Sequence, residues 1–491
     1  MNMIMKNCIL SFIVLALFTA CTENIKNVQF INQQPPTVPN IAGATIPPNI
    51  APFNFATKIE IEKIDVVIKN SNGREIHSQG TEVTDFEIDK WHEFLNESVG
   101  DSLTYSVCLK REGQWTKFKD FKVAVSPDSI DYGISYRLIA PGYESYSEMG
   151  IYQRELSTFE EKAIFRTTLL YGNCVNCHAY KNGDTKNMSL HFRGLVGCTM
   201  IQRDGKITLY NSVTDSTKGN CVYPYWHPDG EHIAYSVNRT EQAFHVLEKK
   251  RIEVFDIWSD VVVFDVNNCE LISCSALRDT NSFETFPAFS PDGHSLYFCS
   301  SKAYDVLKEP KKVRYSLCRI DFDATTNTFG NQVDTLINAK KIGKSVSFPR
   351  PSPDGRYIAF TLSDYGQFSI WHPEADIWLY EISTGEMHPM SELNSSDVES
   401  YHSWSSNGRW MIFSSRRENG LFTQPYIAHI DSCGKASKPF RLPLHSPKEY
   451  DETFYSYNIP EFITSPVNVN RNTLENKLLQ RDLQQIKFTG R

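Results

Sequence analysis

The chain has 491 residues, more than one hydrophobic core usually serves, so it holds several domains or a closed repeat. Hydrophobic residues make up 41% and charged residues 22%, the balance of a soluble globular protein, and 12% aromatics suits a β-rich fold. A formal net charge of −8 with no long basic run argues against nucleic acid or an anionic membrane surface as partner.

In chain order, Lys6 precedes a short apolar core, Cys8 to Phe18, and Thr19-Ala20-Cys21 follows. The run is too short to span a bilayer and is flanked as a secretory signal over residues 1–20. Its ending resembles the lipobox of bacterial lipoproteins, which implies cleavage before Cys21 and lipidation of its thiol. The alternative is an ordinary signal peptide that leaves Cys21 a spare thiol. After Cys21 only Glu23 is acidic in Thr22-Glu-Asn-Ile25, so a periplasm-facing anchor is expected, at the outer rather than the inner membrane. Export to an oxidising compartment permits disulfides among the ten later cysteines, with a connectivity that spacing does not reveal.

Residues 21–55 are proline-rich, as in Gln33-Gln-Pro-Pro-Thr-Val-Pro39 and Ile46-Pro-Pro-Asn-Ile-Ala-Pro52, and have no amphipathic period. They read as a lipid-anchored tether, extended at roughly 3.1 Å per residue. Residues 56–126 alternate in the β manner, with Ile59, Ile61, Ile64, Val66 and Ile68 ahead of a turn at Asn70–Gly73. Two further alternating stretches, Leu103–Leu109 and Phe118–Val125, complete an expected small immunoglobulin-like β-sandwich.

From residue 127 the chain repeats itself. Tyr223-Pro-Tyr-Trp-His-Pro-Asp-Gly230, Phe286-Pro-Ala-Phe-Ser-Pro-Asp-Gly293 and Phe348-Pro-Arg-Pro-Ser-Pro-Asp-Gly355 share one template, and Tyr401-His-Ser-Trp-Ser-Ser-Asn-Gly408 is a degraded copy. Asp229, Asp292, Asp354 and Asn407 are 63, 62 and 53 residues apart. A strand, a Pro-Asp-Gly turn, an alternating return strand and a second hairpin make one propeller blade. A looser copy runs from Cys177 to Phe192, and Gly133–Ile139 with Gly150–Leu156 supplies another blade. The expected fold is therefore all-β: a propeller over residues 127–465, six-bladed, or seven-bladed if the tail closes a further blade. Leu474, Leu478, Leu479, Leu483 and Ile486 have roughly helical spacing, so 466–491 is expected to be a helical tail. The repeats resemble those of the TolB β-propeller family over roughly residues 130–460, which implies the fold far better than any function. The segment order also looks like an uncharacterised group of bacterial propeller proteins bearing one haem-binding string.

That string is Cys174-Val-Asn-Cys-His178. Two thiols at this spacing reach both vinyl groups of a haem as thioethers, and the adjacent imidazole ligates iron from one face. Cys174 and Cys177 are thus the candidate attachment points for one covalent haem c, and His178 the proximal iron ligand. A thiol pair, a disulfide, or a zinc site with Cys198 and Cys221 are the competing readings. Placing Tyr180 under Trp226, Phe289 and Trp404 puts His178 under Pro224, Pro287, Pro349 and His402. Equivalent positions lie at equal depth around a propeller axis, so His402 is the first candidate for a second iron ligand, two blades from His178. Arg350 falls at the channel rim and is a candidate partner for a haem propionate. His227, Met188 and His191 are weaker iron candidates. The patch Phe368-Ser-Ile-Trp-His-Pro-Glu-Ala-Asp376 mixes aromatics with ionisable groups and carries no assigned chemistry.

The expected function is a membrane-anchored envelope lipoprotein with one c-type haem, in electron transfer or as the redox end of a complex with an envelope protein. The alternative is a TolB-like protein-binding scaffold without haem. Gly-X-Ser-X-Gly, His-Glu-X-X-His and phosphate-binding loops are absent from the sequence, so the usual entry motifs for hydrolase chemistry are lacking.

Overall fold

The structure is a computed structural model that describes residues 23–140, 149–170, 174–217 and 219–490. Cys21 and the signal segment lie outside the described residues. Among those described, no helix is long and apolar enough to cross a membrane.

Residues 133–463 form six four-stranded blades. Blade 1 takes its innermost strand, Ser456–Ile463, from the far end of the chain and its other three, Gly133–Ile139, Met149–Glu155 and Glu161–Arg166, from the near end. The tail strand thus closes the first blade, not a seventh. Blades 2 to 6 follow in order, with inner strands Val175–Lys181, Cys221–Trp226, Ser282–Phe289, Ser345–Pro351 and Glu399–Trp404. Neighbouring blades are clasped alike: Trp226 Nε1 donates to the Ala179 carbonyl at 3.2 Å, and Trp404 Nε1 to the Arg350 carbonyl at 3.0 Å. Trp226 is buried and Trp404 half-buried, and the one donor of each indole is satisfied by the preceding inner strand.

The N-terminal region differs from the expected tether and sandwich. Residues 23–57 are bound down: Ile41, Ile46, Ile50, Phe53 and Phe55 are fully buried, Thr45–Ile46 pairs in parallel with Phe121–Val125, and Gln29–Phe30 with Gln114–Lys117. The prolines interrupt any period, but the apolar residues between them supply enough surface to dock the segment. In place of a sandwich stand a seven-stranded sheet, on which the helix Ile88–Asn96 buries Trp91, Phe94 and Leu95, and a separate two-stranded ribbon of Thr37–Val38 with Ala56–Thr57. Those three stand at helical spacing, a signal the β reading passed over. Trp91 Nε1 donates to the Ile50 carbonyl at 2.8 Å, tying helix to N-terminal segment. One apolar core runs from this sheet into blade 6, taking in Trp410, Ile412, Ile427 and Phe440.

The C-terminal helix is shorter than expected, Arg471–Gln480, with Leu474 and Leu478 buried and Leu479 exposed. Arg481 at φ 52° ends it. Leu483 and Ile486 then serve β structure: Leu483–Gln485 pairs with Lys206–Asn211 of blade 2, and Lys487–Phe488 with Glu270–Ile272 of blade 3. The tail is a strap across the outer edges of two blades.

Candidate functional site

Every inner strand carries a β-bulge at the same depth. The pairing slips after Asn176, Val222, Thr285, Ser347 and Ser400, and the residue inside each bulge has φ between 50° and 54°: Cys177, Tyr223, Phe286, Phe348 and Tyr401, with Ile459 in blade 1. Such a φ costs a residue with a Cβ on the order of 1–3 kcal/mol, and a bulge re-aims its side chain. Four of the six interlock around the channel, with ring centroids 4.6 Å apart for Tyr223 and Phe286, 4.4 Å for Phe286 and Phe348, and 4.8 Å for Phe348 and Tyr401. Cys177 occupies the position that is aromatic in the next four blades.

The residue after each bulge is His178, Pro224, Pro287, Pro349, His402 or Pro460. His178 and His402 therefore do occupy equivalent positions, in blades 2 and 6 with blade 1 between them. Both border a cavity of about 270 Å³ at the mouth formed by the Asp-Gly turns. This cavity also takes Arg350 and Glu461, but neither Cys174 nor Cys177. Arg350 stacks its guanidinium 5.5 Å from the Tyr225 ring centre. Burial lifts the Glu461 carboxyl to about 7, against the opposing pull of the Tyr180 N–H and Arg350. Glu461 was not singled out from the sequence because its strand lacks the Pro-Asp-Gly turn, yet Ile459-Pro-Glu-Phe462 fits the first half of the repeat template.

Around the haem-type motif the buried polar groups are short of partners. Neither ring nitrogen of His178, His191 or His402 makes a hydrogen bond of acceptable geometry, nor does Asn176 Oδ1 or Arg137 Nε. An unmade hydrogen bond on a buried group costs about 1–3 kcal/mol. Burial, reinforced by Arg137, lowers His178 to about 4. Burial also lowers His191 to about 3, with Arg193 adding to it, and His402 to about 3. All three imidazoles are neutral near pH 7, the form that binds a metal. All ten described cysteines are free thiols, and burial raises Cys177 above its ordinary value.

The donors face different ways. Cys177 lies by the Tyr223 backbone of blade 3, whereas His178 lies by the backbones of Ile459 and Ser135 of blade 1. His191, opposite Asn176 on the next strand, shares the influence of Arg193 with Cys177 and Tyr223. His402 is turned to Phe348 and Ala359 of blade 5. Cys174 stands at the start of its strand, roughly 13 Å from His178 at the rise of an extended chain.

The other sequence candidates are dispersed. Met188 is packing, fully buried between blades 1 and 2. His372, from the patch at 368–376, sits 3.4 Å from Glu374 and 3.7 Å from Glu253 at the far end of blade 5. His227 joins Asp229 and His232 at the turn of blade 3.

For a covalent haem the donor chemistry fits: two free thiols and a neutral, unpartnered imidazole in one pentapeptide. The extended conformation does not present all three donors to one face.

No family model matches the chain, and no curated protein matches it. Among solved structures it is similar to a periplasmic gluconolactonase of Pseudomonas aeruginosa, at 13% identity over 68% of this chain and 100% of that one, with a TM-score of 0.33. It is also similar to dipeptidyl peptidase 4 of Porphyromonas gingivalis, at 12% identity over 59% of this chain and 42% of that one, with a TM-score of 0.30. A prolyl endopeptidase matches at 11% identity over 63% of this chain and 43% of that one, with a TM-score of 0.35. The match spans less than half the length of either peptidase. These likenesses concern the fold alone, and the sheet topology makes the chain a β-propeller repeat protein.

Proposed function

We propose that this is an envelope lipoprotein whose TolB-like propeller holds one covalent c-type haem and relays electrons to an envelope partner. The supporting observation is the pairing of free thiols at Cys174 and Cys177 with the buried, neutral His178, both of whose nitrogens lack partners. A haem held there by thioethers supplies a one-electron iron centre. Cys174 and Cys177 hold it, and His178 keeps a lone pair for iron because burial and Arg137 suppress its protonation.

Presenting thiols and imidazole to one face requires residues 174–178 to leave the extended form. The bulge at Cys177 is where they yield: it is strained at φ 54° and lacks the ring that locks the equivalent residue of the next four blades. For the second ligand, His191 lies on the Cys177 side, whereas His402 is turned toward blade 5, so His191 takes precedence over His402. Arg350 stays at the turn mouth with Glu461, in a cavity that reaches neither Cys174 nor Cys177, which weakens it as a propionate partner.

Lipidation of Cys21 would hold the N-terminal sheet close to the membrane. Glu23, two residues on, is ion-paired to Lys110 at 2.7 Å and Lys63 at 2.9 Å on that sheet. Expression with a c-type maturation system tests the haem assignment. The wild type should keep its haem absorption through acid–acetone extraction, and the Cys174→Ala, Cys177→Ala variant should be colourless. Equal colour in both, or in neither, rejects the assignment.

A further inference from the structure

The blades are internal controls for one another, and of the four turns built on the Pro-Asp-Gly template one departs from the other three. In blades 4, 5 and 6 the turn closes through a serine: Ser290 donates to Asp292, Ser352 to Asp354 at 2.6 Å, and Ser405 to Asn407 at 2.7 Å. In blade 3 that serine is His227, and the residue five positions on, Ser295 in blade 4, is His232. Asp229 still closes the turn with Oδ1, which accepts the N–H of Glu231 at 2.7 Å and of His232 at 3.1 Å. Its Oδ2 is left over. His227 Nδ1 lies 2.9 Å from it and His232 Nδ1 2.7 Å.

The far nitrogens carry the hydrogens that a metal-bound imidazole keeps; without an ion His232 Nδ1, 2.7 Å from Asp229 Oδ2, carries one as well, because a carboxylate only accepts. His227 Nε2 is 3.0 Å from the Gly293 carbonyl, which only accepts, so Nε2 holds a hydrogen. Its Nδ1 faces the Asp229 N–H at 3.2 Å and so presents a lone pair. Asn327 donates its amide to Asp265 Oδ2 at 2.7 Å, which turns its Oδ1 to His232 Nε2 at 2.8 Å; that nitrogen also donates. Both rings are thus fixed with Nδ1 toward the same carboxylate oxygen, the arrangement in which a carbonyl or amide behind each imidazole orients a metal ligand. The rings are further held edge-on, His227 by Phe289 at 4.8 Å and His232 by Phe322 at 5.7 Å. Gly293 is needed behind them, since a Cβ there would stand 2.3 Å from His227 Nε2.

We propose that His227, Asp229 and His232 bind one divalent cation of the zinc class at the turn edge between blades 3 and 4. Two imidazoles and one carboxylate suit zinc, cobalt or nickel better than magnesium or calcium. The three ligand atoms lie within 4.8 Å of one another, and Asp229 keeps 28% of its side chain exposed, which leaves a position for water. Metal–nitrogen bonds of about 2.0–2.1 Å need the ligand atoms roughly half an ångström further apart than the 2.7 and 2.9 Å seen here, a small opening of an exposed turn. Because Gly293 and Asn327 belong to blade 4, the ion would tie two blades together.

The test is cobalt(II) titration of the chelator-treated mature protein, followed by the d–d spectrum and the Tm. The wild type should take up one cobalt at micromolar or tighter affinity, with no thiolate-to-cobalt charge-transfer band, and its Tm should rise. The His227→Ser, His232→Ser variant copies Ser290 and Ser295 of blade 4 and should lose both effects. If that variant does not fold, Asp229→Asn serves, because blade 6 closes the same turn with Asn407. Absence of uptake by the wild type, the result of a cluster that holds only a proton, overturns the proposal. So does undiminished uptake by the folded variants. The titration is run in the Cys174→Ala, Cys177→Ala background, where no haem band covers the cobalt d–d region, so haem content enters neither outcome.

Discussion

Truncating Phe53 tests whether the N-terminal sheet and the propeller are one cooperative body. Its ring is fully buried, edge-on to Phe440 of blade 6 at 5.4 Å and to Trp91 of the N-terminal helix at 6.4 Å. Phe53→Ala removes a buried ring at a junction framed from two sides, so little collapse can fill the void. Core Phe→Ala changes cost about 3–5 kcal/mol, of which each edge-on aromatic pair accounts for roughly 0.5–1.5 kcal/mol. Urea unfolding followed by far-UV and near-UV circular dichroism should show both signals moving together to lower urea. Phe30→Ala, at a ring 62% exposed, is the control and should stay within about 0.5 kcal/mol of the wild type. A loss below about 1 kcal/mol for Phe53→Ala, or two separate transitions of which only one moves, would refute a shared core.

The strap should matter in a similar way: Leu478→Ala, at a buried strap residue, should cost about 2–5 kcal/mol and expose the tail to limited proteolysis before the blades, whereas Leu479→Ala at its exposed neighbour should do neither. Acid should weaken the site through its histidines. His402, lowered to about 3 by burial, takes up no proton in the folded state where the unfolded chain does so below its ordinary 6.5. Its contribution is therefore complete above pH 6.5 and is lost as pH falls, by about 2 kcal/mol between pH 7.5 and pH 5. Glu461 and Glu284, each raised to about 7 by burial, titrate with the opposite sign, so the measurement is the difference between the Cys174→Ala, Cys177→Ala protein and its further His402→Gln variant. Parallel pH profiles for the two would contradict the depressed value. For iron ligation, His191→Ala should change the haem spectrum and His402→Ala should leave it unaltered; the reverse pattern would restore His402 as second ligand.

The propeller was legible because its repeats are local. Pro-Asp-Gly turns and alternating return strands recur within short windows, and the alignment built on them placed His178 and His402 at equivalent depth. What escaped depends on long-range contact. Ile459-Pro-Glu-Phe462 fits half the template, but its pairing with Gly133–Ile139 joins the two ends of the ring, which no short window of sequence carries. The segment at residues 21–55 reads as linker because its prolines mask the apolar residues that dock it. Leu483 continues a helical spacing, but the αL turn at Arg481 diverts it into a strand along blade 2. The facing of Cys177 and His178 was hidden for a related reason: one bulge reverses the alternation that an uninterrupted strand would impose.

A covalent haem at Cys174 and Cys177 adds its own mass to the polypeptide. The most direct measurement is the intact mass of the mature wild type and the Cys174→Ala, Cys177→Ala variant after acid–acetone extraction. The wild type should carry the added mass of one haem and the variant none. A wild type at the mass of the polypeptide with its amino-terminal processing alone, made by cells that mature another c-type protein, would contradict it.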